Sequence, residues 1–165
     1  MTHTPGVKTE APEEEAEDME PRLATLYRRG AAKANYMSQD RPDISFASKE
    51  LSRSMARPRV GDEMKLKRLA RYLQRHPRCV IQYNWQEPGS HVTAFTDSDW
   101  GGCVRTRKST SGGCLMRGTH LLVWWSRTQQ LIALSSAEAE LNASIKAAVE
   151  GLGVCNMAWE LGSRQ

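Results

Sequence analysis

Three carboxylates stand out by type and setting. Asp97 and Asp99 close the alternating run HVTAFT inside the word TDSDWGG (96–102), and Glu140 lies in SSAEAELNAS, at the start of an alanine-rich stretch. Hard oxygen ligands with no histidine or thiolate beside them suit Mg2+. Two such ions bridged by carboxylates drive in-line phosphodiester hydrolysis, one activating water and the other steadying the leaving oxygen. An Asp beside Gly101 and Gly102 at a strand end is also ordinary turn material, and spacing alone favours the turn. Both readings stay open on the residues.

The acids of the alanine-rich stretch separate by position. Ser135 and Glu138 are in S-x-x-E register, so they are expected to cap a helix, the serine accepting from N3 and the glutamate reaching back to the cap N–H. Glu140 sits about 200° further round at ~100° per residue and has no capping duty. If that helix packs on the strand ending at Asp97, the two carboxylates can converge. Two acids so held need a cation or a raised pKa.

The elements that must do the positioning follow from periodicity. Leu141, Ile145, Ala148 and Leu152 recur at helical spacing, and this stripe is expected to cover one face of a sheet. Before it come CVIQYNW (79–85), HVTAFT, GGCLMRG, HLLVWWS and QLIALS, which read as short strands of an antiparallel meander. Trp124 and Trp125 fall on opposite faces if extended, one in the core and one available for packing or base stacking. Upstream, Ile44, Ala47, Leu51 and Met55 mark one helix ending before Pro58. Leu66, Leu69, Ala70 and Leu73 mark another, N-capped near Asp62 and stopped by His76-Pro77. Leu23, Leu26, Tyr27 and Ala31 give an earlier helix that Gly30 weakens. The fold class expected is α+β.

Charge adds a second theme. Glu10 to Glu20 holds seven acids and no base, and residues 1–21 read as a disordered acidic leader. Leu51 to Arg78 holds nine bases against two acids, and Lys65, Arg68, Arg71 and Arg75 lie on the polar side of a helix. Such a face attracts a phosphate backbone in a salt-dependent way, or it is a solvated surface; both stay open. Four scattered cysteines with no CxxC pair and four scattered histidines argue against a zinc or haem site. No apolar run approaches the ~20 residues of a membrane span, and the start shows no signal peptide, so an intracellular location, cytoplasmic or nuclear, is expected. RKSTSGG lacks the glycine spacing of a phosphate-binding loop and reads as a turn.

Taken in order, the words RPDISFASKELSRSM (41–55), LKRLARYLQ (66–74), TDSDWGG, RKSTSGG (107–113), VWWSRTQQLIALSSAEAEL (123–141) and WELG (159–162) resemble the copia-type LTR retrotransposon Pol polyprotein, where reverse transcriptase passes into ribonuclease H. The resemblance implies residues 22–78 as a helical reverse transcriptase connection and 79–165 as a partial ribonuclease H-like domain. It implies Asp97 and Glu140 as catalytic, Mg2+-binding acids, with Asp99 as a candidate flanking ligand. The implied substrate is the RNA strand of an RNA–DNA hybrid, and the remainder of a polyprotein is an implied partner.

The departures from the family pattern carry their own expectations. The family's third acid, in a word resembling C-D-N after the helix, is not found before WELGSRQ, and no YxDD word precedes Arg22. An incomplete ribonuclease H-like fold is therefore expected, with weak Mg2+ binding, little or no hydrolysis, and an unpaired edge on the Asp97 strand. The alternatives are a non-catalytic nucleic-acid-binding remnant or a domesticated interaction module.

Overall fold

The computed structural model describes residues 4–6, 17–87, 89 and 91–162. It divides into two compact units, Met1–Cys79 and Val80–Gln165. The acids from Glu10 to Glu15 lie outside the described residues.

The first unit is helical, with α1 over Pro21–Met37, α2 over Ser45–Arg53 and α3 over Val60–Arg75. Pro21 sits in the first turn of α1, where its missing N–H costs nothing. The buried row of α1 is Ala24, Tyr27, Ala31 and Ala34, whereas Leu23 and Leu26 are exposed, so the expected stripe is rotated toward its small residues. Small size is what lets α1 approach α3 closely. A Cβ on Gly30 would lie 2.7 Å from a Leu66 methyl, so the residue that weakens the helix in sequence terms is one that the packing uses. Tyr27 is 1% exposed and donates its hydroxyl to the Leu51 carbonyl at 2.7 Å, tying α1 to α2. Ile44, Ala47 and Leu51 are buried with Met55 packed against them, as their spacing predicts.

α3 begins at Val60, two residues before the expected cap. Asp62 instead occupies N3, where it accepts from the Arg59 N–H at 3.0 Å and pairs with Lys65 at 2.8 Å. Leu69 is buried with Leu66 and Leu73 beside it, but Ala70 is exposed. The end of the expected disordered leader is also ordered. Asp18 bridges antiparallel to Arg59, Met19 donates to the Pro58 carbonyl at 3.1 Å, and Met19 is buried in the helical core. An apolar anchor and an acid facing Arg57 (2.7 Å) and Arg59 (3.3 Å) hold this short stretch down.

The second unit is a three-stranded antiparallel meander, β1 Thr93–Asp99, β2 Thr110–Arg117 and β3 His120–Thr128, followed by α4 over Ser136–Glu160. The α+β expectation holds, and the arrangement is consistent with part of a ribonuclease H-like fold. Gly118, at φ 58°, makes the tight turn between β2 and β3.

Two expected strands do not form. Residues 79–85 join no ladder. This segment is held by side chains instead: Tyr83 donates to the Leu121 carbonyl at 2.8 Å, and Gln86 donates to that of Arg117 at 2.8 Å. QLIALS is likewise a loop, because Trp100 takes the Ala133 carbonyl at 2.9 Å and the Glu138 carboxylate takes the Leu134 N–H at 2.7 Å.

α4 forms over the expected stretch but buries a different face. Ala139, Ala143 and Ala147 are buried against the sheet, while Leu141, Ile145 and Leu152 are 59%, 54% and 65% exposed. The sheet supplies the large side chains, Leu115 and Trp125, so the helix meets it with small ones. Trp125 lies across Gly113, where an added Cβ would collide with its ring and sit 2.8 Å from the Phe95 carbonyl.

Candidate carboxylate site

The register of the meander decides which side chains share a face. Thr96, Gly113 and Trp125 are cross-strand neighbours, as are Ser98, Ser111 and Arg127, and Trp125 packs on the α4 side. Side chains alternate along a strand, so Phe95, Asp97 and Asp99 belong to the opposite face, in rows with Trp124, Ser126 and Thr128. Trp125 is thus the core tryptophan and Trp124 its opposite.

Glu140 does reach the end of β1, but at Ser98. One carboxylate oxygen accepts from the Ser98 N–H at 3.1 Å and from its hydroxyl at 2.8 Å. Ser135 caps α4 by accepting from the Glu138 N–H at 3.1 Å, and Glu138 reaches past the cap residue to Leu134. Gln129 adds a buried tie from the β3 end, donating to Ser111 Oγ at 2.9 Å and to the Ala139 carbonyl at 2.8 Å.

Asp97 is exposed, its cross-strand partner Gly112 opens onto free space, and Asp99 folds over Gly102. Beyond β1, Ser109 is fully buried and accepts from the Gly101 N–H at 3.1 Å, closing the glycine turn. The site therefore rests on Ser98, Ser109, Ser111 and Gln129, none of which the sequence reading singled out. Their one sequence-level signal is small polar residues at strand ends beside the acids.

Asp97 and the Glu140-binding Ser98 alternate across the sheet, and no group of three or more His, Cys, Asp or Glu side chains placed to hold a metal ion occurs among the described residues. No helix among them is long and apolar enough to cross a membrane.

The basic residues of the first unit divide in a similar way. Lys65 is engaged with Asp62, and Arg68 donates to the Thr4 carbonyl and hydroxyl at 3.1 and 2.9 Å. Lys67 pairs with Glu63 at 2.9 Å one turn away. Arg71 and Arg75, four apart on α3, are exposed and have no partner among the described residues.

No protein-family model matches the chain. No solved structure matches it either. Among curated proteins it is 34% identical over 129 residues to the uncharacterized mitochondrial protein AtMg00810 of Arabidopsis thaliana, covering 78% of this chain and 51% of that protein. It is 33% identical over 142 residues to the retrovirus-related Pol polyprotein from transposon RE1 of the same plant, covering 85% of this chain and 10% of the polyprotein. A third relative, the secreted RxLR effector protein 161 of Plasmopara viticola, is 32% identical over 112 residues, covering 68% of this chain and 78% of that protein. The chain thus spans about half of the first relative and about a tenth of the second. With the order of its motifs, these similarities establish that the chain belongs to the copia-type retrotransposon Pol family.

Proposed function

We propose that this retrotransposon-derived chain is a nucleic-acid-binding, ribonuclease H-like module that holds an RNA–DNA hybrid or another nucleic acid without cutting it. The observation that carries the non-cutting part is the Ser98–Glu140 link. The acid that the family resemblance assigns to metal spends one oxygen tying α4 to β1, and Asp97 is directed to the other face. The binding part is supported by Arg71 and Arg75, two unengaged guanidinium groups on one face of α3, with Lys67 one turn before them. Guanidinium and ammonium groups so spaced neutralise phosphates and release counterions.

The test is binding of a labelled RNA–DNA hybrid as a function of salt. For two to three neutralised phosphates, log affinity should fall with log salt at a slope of about −2 to −3. Replacing Arg71 and Arg75 together by alanine should flatten that slope by about 2 and weaken binding alike on all sequences. An unchanged slope would sink the assignment of α3.

A second reading, Mg2+-dependent hydrolysis of the RNA strand with Asp97 and Glu140 as ligands, is favoured by Glu140 lying against the residue next to Asp97. It requires the end of β1 to turn Asp97 toward α4.

A further inference from the structure

α4 is apolar on two opposite sides. One side, Ala139, Ala143 and Ala147, is buried on the sheet; the other, Leu141, Ile145, Val149 and Leu152, is 54–65% exposed. A contiguous exposed apolar stripe marks an interaction site, and this one calls for a partner that the meander does not supply. The spacing describes that partner. Leu141, Ile145, Ala148 and Leu152 step by four, three and four residues, and Trp159 follows seven later, 63% exposed. This is the seam by which one helix packs along another at a shallow angle.

We propose that the occupant is α4 of a second copy of this chain, running antiparallel across a two-fold axis near Ala148. Three features favour a copy. No charged side chain lies on the stripe between Leu141 and Leu152, and the flanking Lys146 and Glu150 pair with each other, so a copy meets no like charge and a charged partner finds no complement. An axis between Ala148 and Val149 sets Ile145 against the partner copy's Leu152 and Ala148 against its Val149, small side chains at the crossing, which satisfies isologous contact. Leu141, Ile145, Val149, Leu152 and Trp159 are each more than half exposed, and two such faces laid together approach the ~1,000 Å2 total that a specific interface needs.

The experiment is sedimentation equilibrium of the full chain and three variants. The expected result is a dimer at tens of micromolar, weakened at least ~100-fold by Leu152→Glu or Ile145→Lys, and unchanged by Phe95→Glu on the far face of the sheet. An equimolar mixture of Ile145→Lys and Leu152→Glu should re-associate, because the axis sets these two positions against each other. Far-UV circular dichroism of each variant reports whether it folds, and loss of folding in one leaves the other to report. A monomer at all concentrations overturns the proposal. So does an association that survives both charge variants, which would move it to the free edge of β1, or one dispersed by Phe95→Glu, which would move it to the open sheet face. A chain that pairs only with a different, added protein overturns it as well.

Discussion

A single carboxylate oxygen of Glu140 accepts two hydrogen bonds from Ser98, one from its backbone at 3.1 Å and one from its hydroxyl at 2.8 Å. The first turns of α4 are thereby fastened to the end of β1, with the Gln129 tie close by.

Glu140 is expected to behave as a structural acceptor. Glu140→Gln keeps an oxygen in place and should cost under about 1 kcal/mol, whereas Glu140→Ala strands both Ser98 donors and should cost about 1–3 kcal/mol. Thermal melting followed by circular dichroism checks this, and equal losses in the two variants would contradict it.

Two neighbouring glycines of β2 should respond oppositely. Gly113→Ala forces a Cβ against the Trp125 ring and to 2.8 Å from the Phe95 carbonyl, and is expected to destabilise by about 1–3 kcal/mol as an overpacked site. Gly112→Ala meets open space and should be neutral or slightly stabilising. Denaturant midpoints of the two variants give the comparison.

Acid should loosen the helical unit through Asp43. Arg41 holds its carboxylate from two nitrogens at 2.9 and 2.7 Å, and Tyr72 donates at 3.0 Å. The Arg41 hydrogen bond, against the opposing effect of burial, sets the Asp43 carboxyl below the ordinary carboxylate range, with Tyr72 adding to it. A group lowered in the folded state contributes stability that is present above its unfolded value, near ~4, and is lost as pH falls through the folded one. Stability should therefore decline below about pH 4, and Asp43→Asn should remove part of that decline. Arg41 also donates to the His76 and Pro77 carbonyls, so Arg41→Met should cost about 1–3 kcal/mol at neutral pH. Urea titrations across pH would show both effects.

The legible parts of the sequence were those where one period dominates. Ile44, Ala47 and Leu51 spell out α2, and the runs around Phe95, Leu115 and Val123 spell out the meander. What misled was α4, where two apolar faces compete. Its large residues form the stronger pattern, yet the alanines win the sheet because Trp125 and Leu115 already fill that space. CVIQYNW carries strand-like residues, but Tyr83 and Gln86 satisfy the neighbouring turn with side chains rather than backbone. At the site, the acids were visible in the sequence and their faces were not. Parity along β1 depends on which side the helix lands, and Ser98, one residue from Asp97, takes the contact that the acids were expected to share.

The most direct measurement is incubation of a labelled RNA–DNA hybrid with the purified chain at low salt, in Mg2+ and in EDTA, beside Glu140→Gln, with binding recorded on the same samples. A hybrid that is bound and stays intact in every lane is the predicted result. Cleavage that needs both Mg2+ and Glu140 would contradict the account, and would mean that Asp97 and Glu140 meet in a working site.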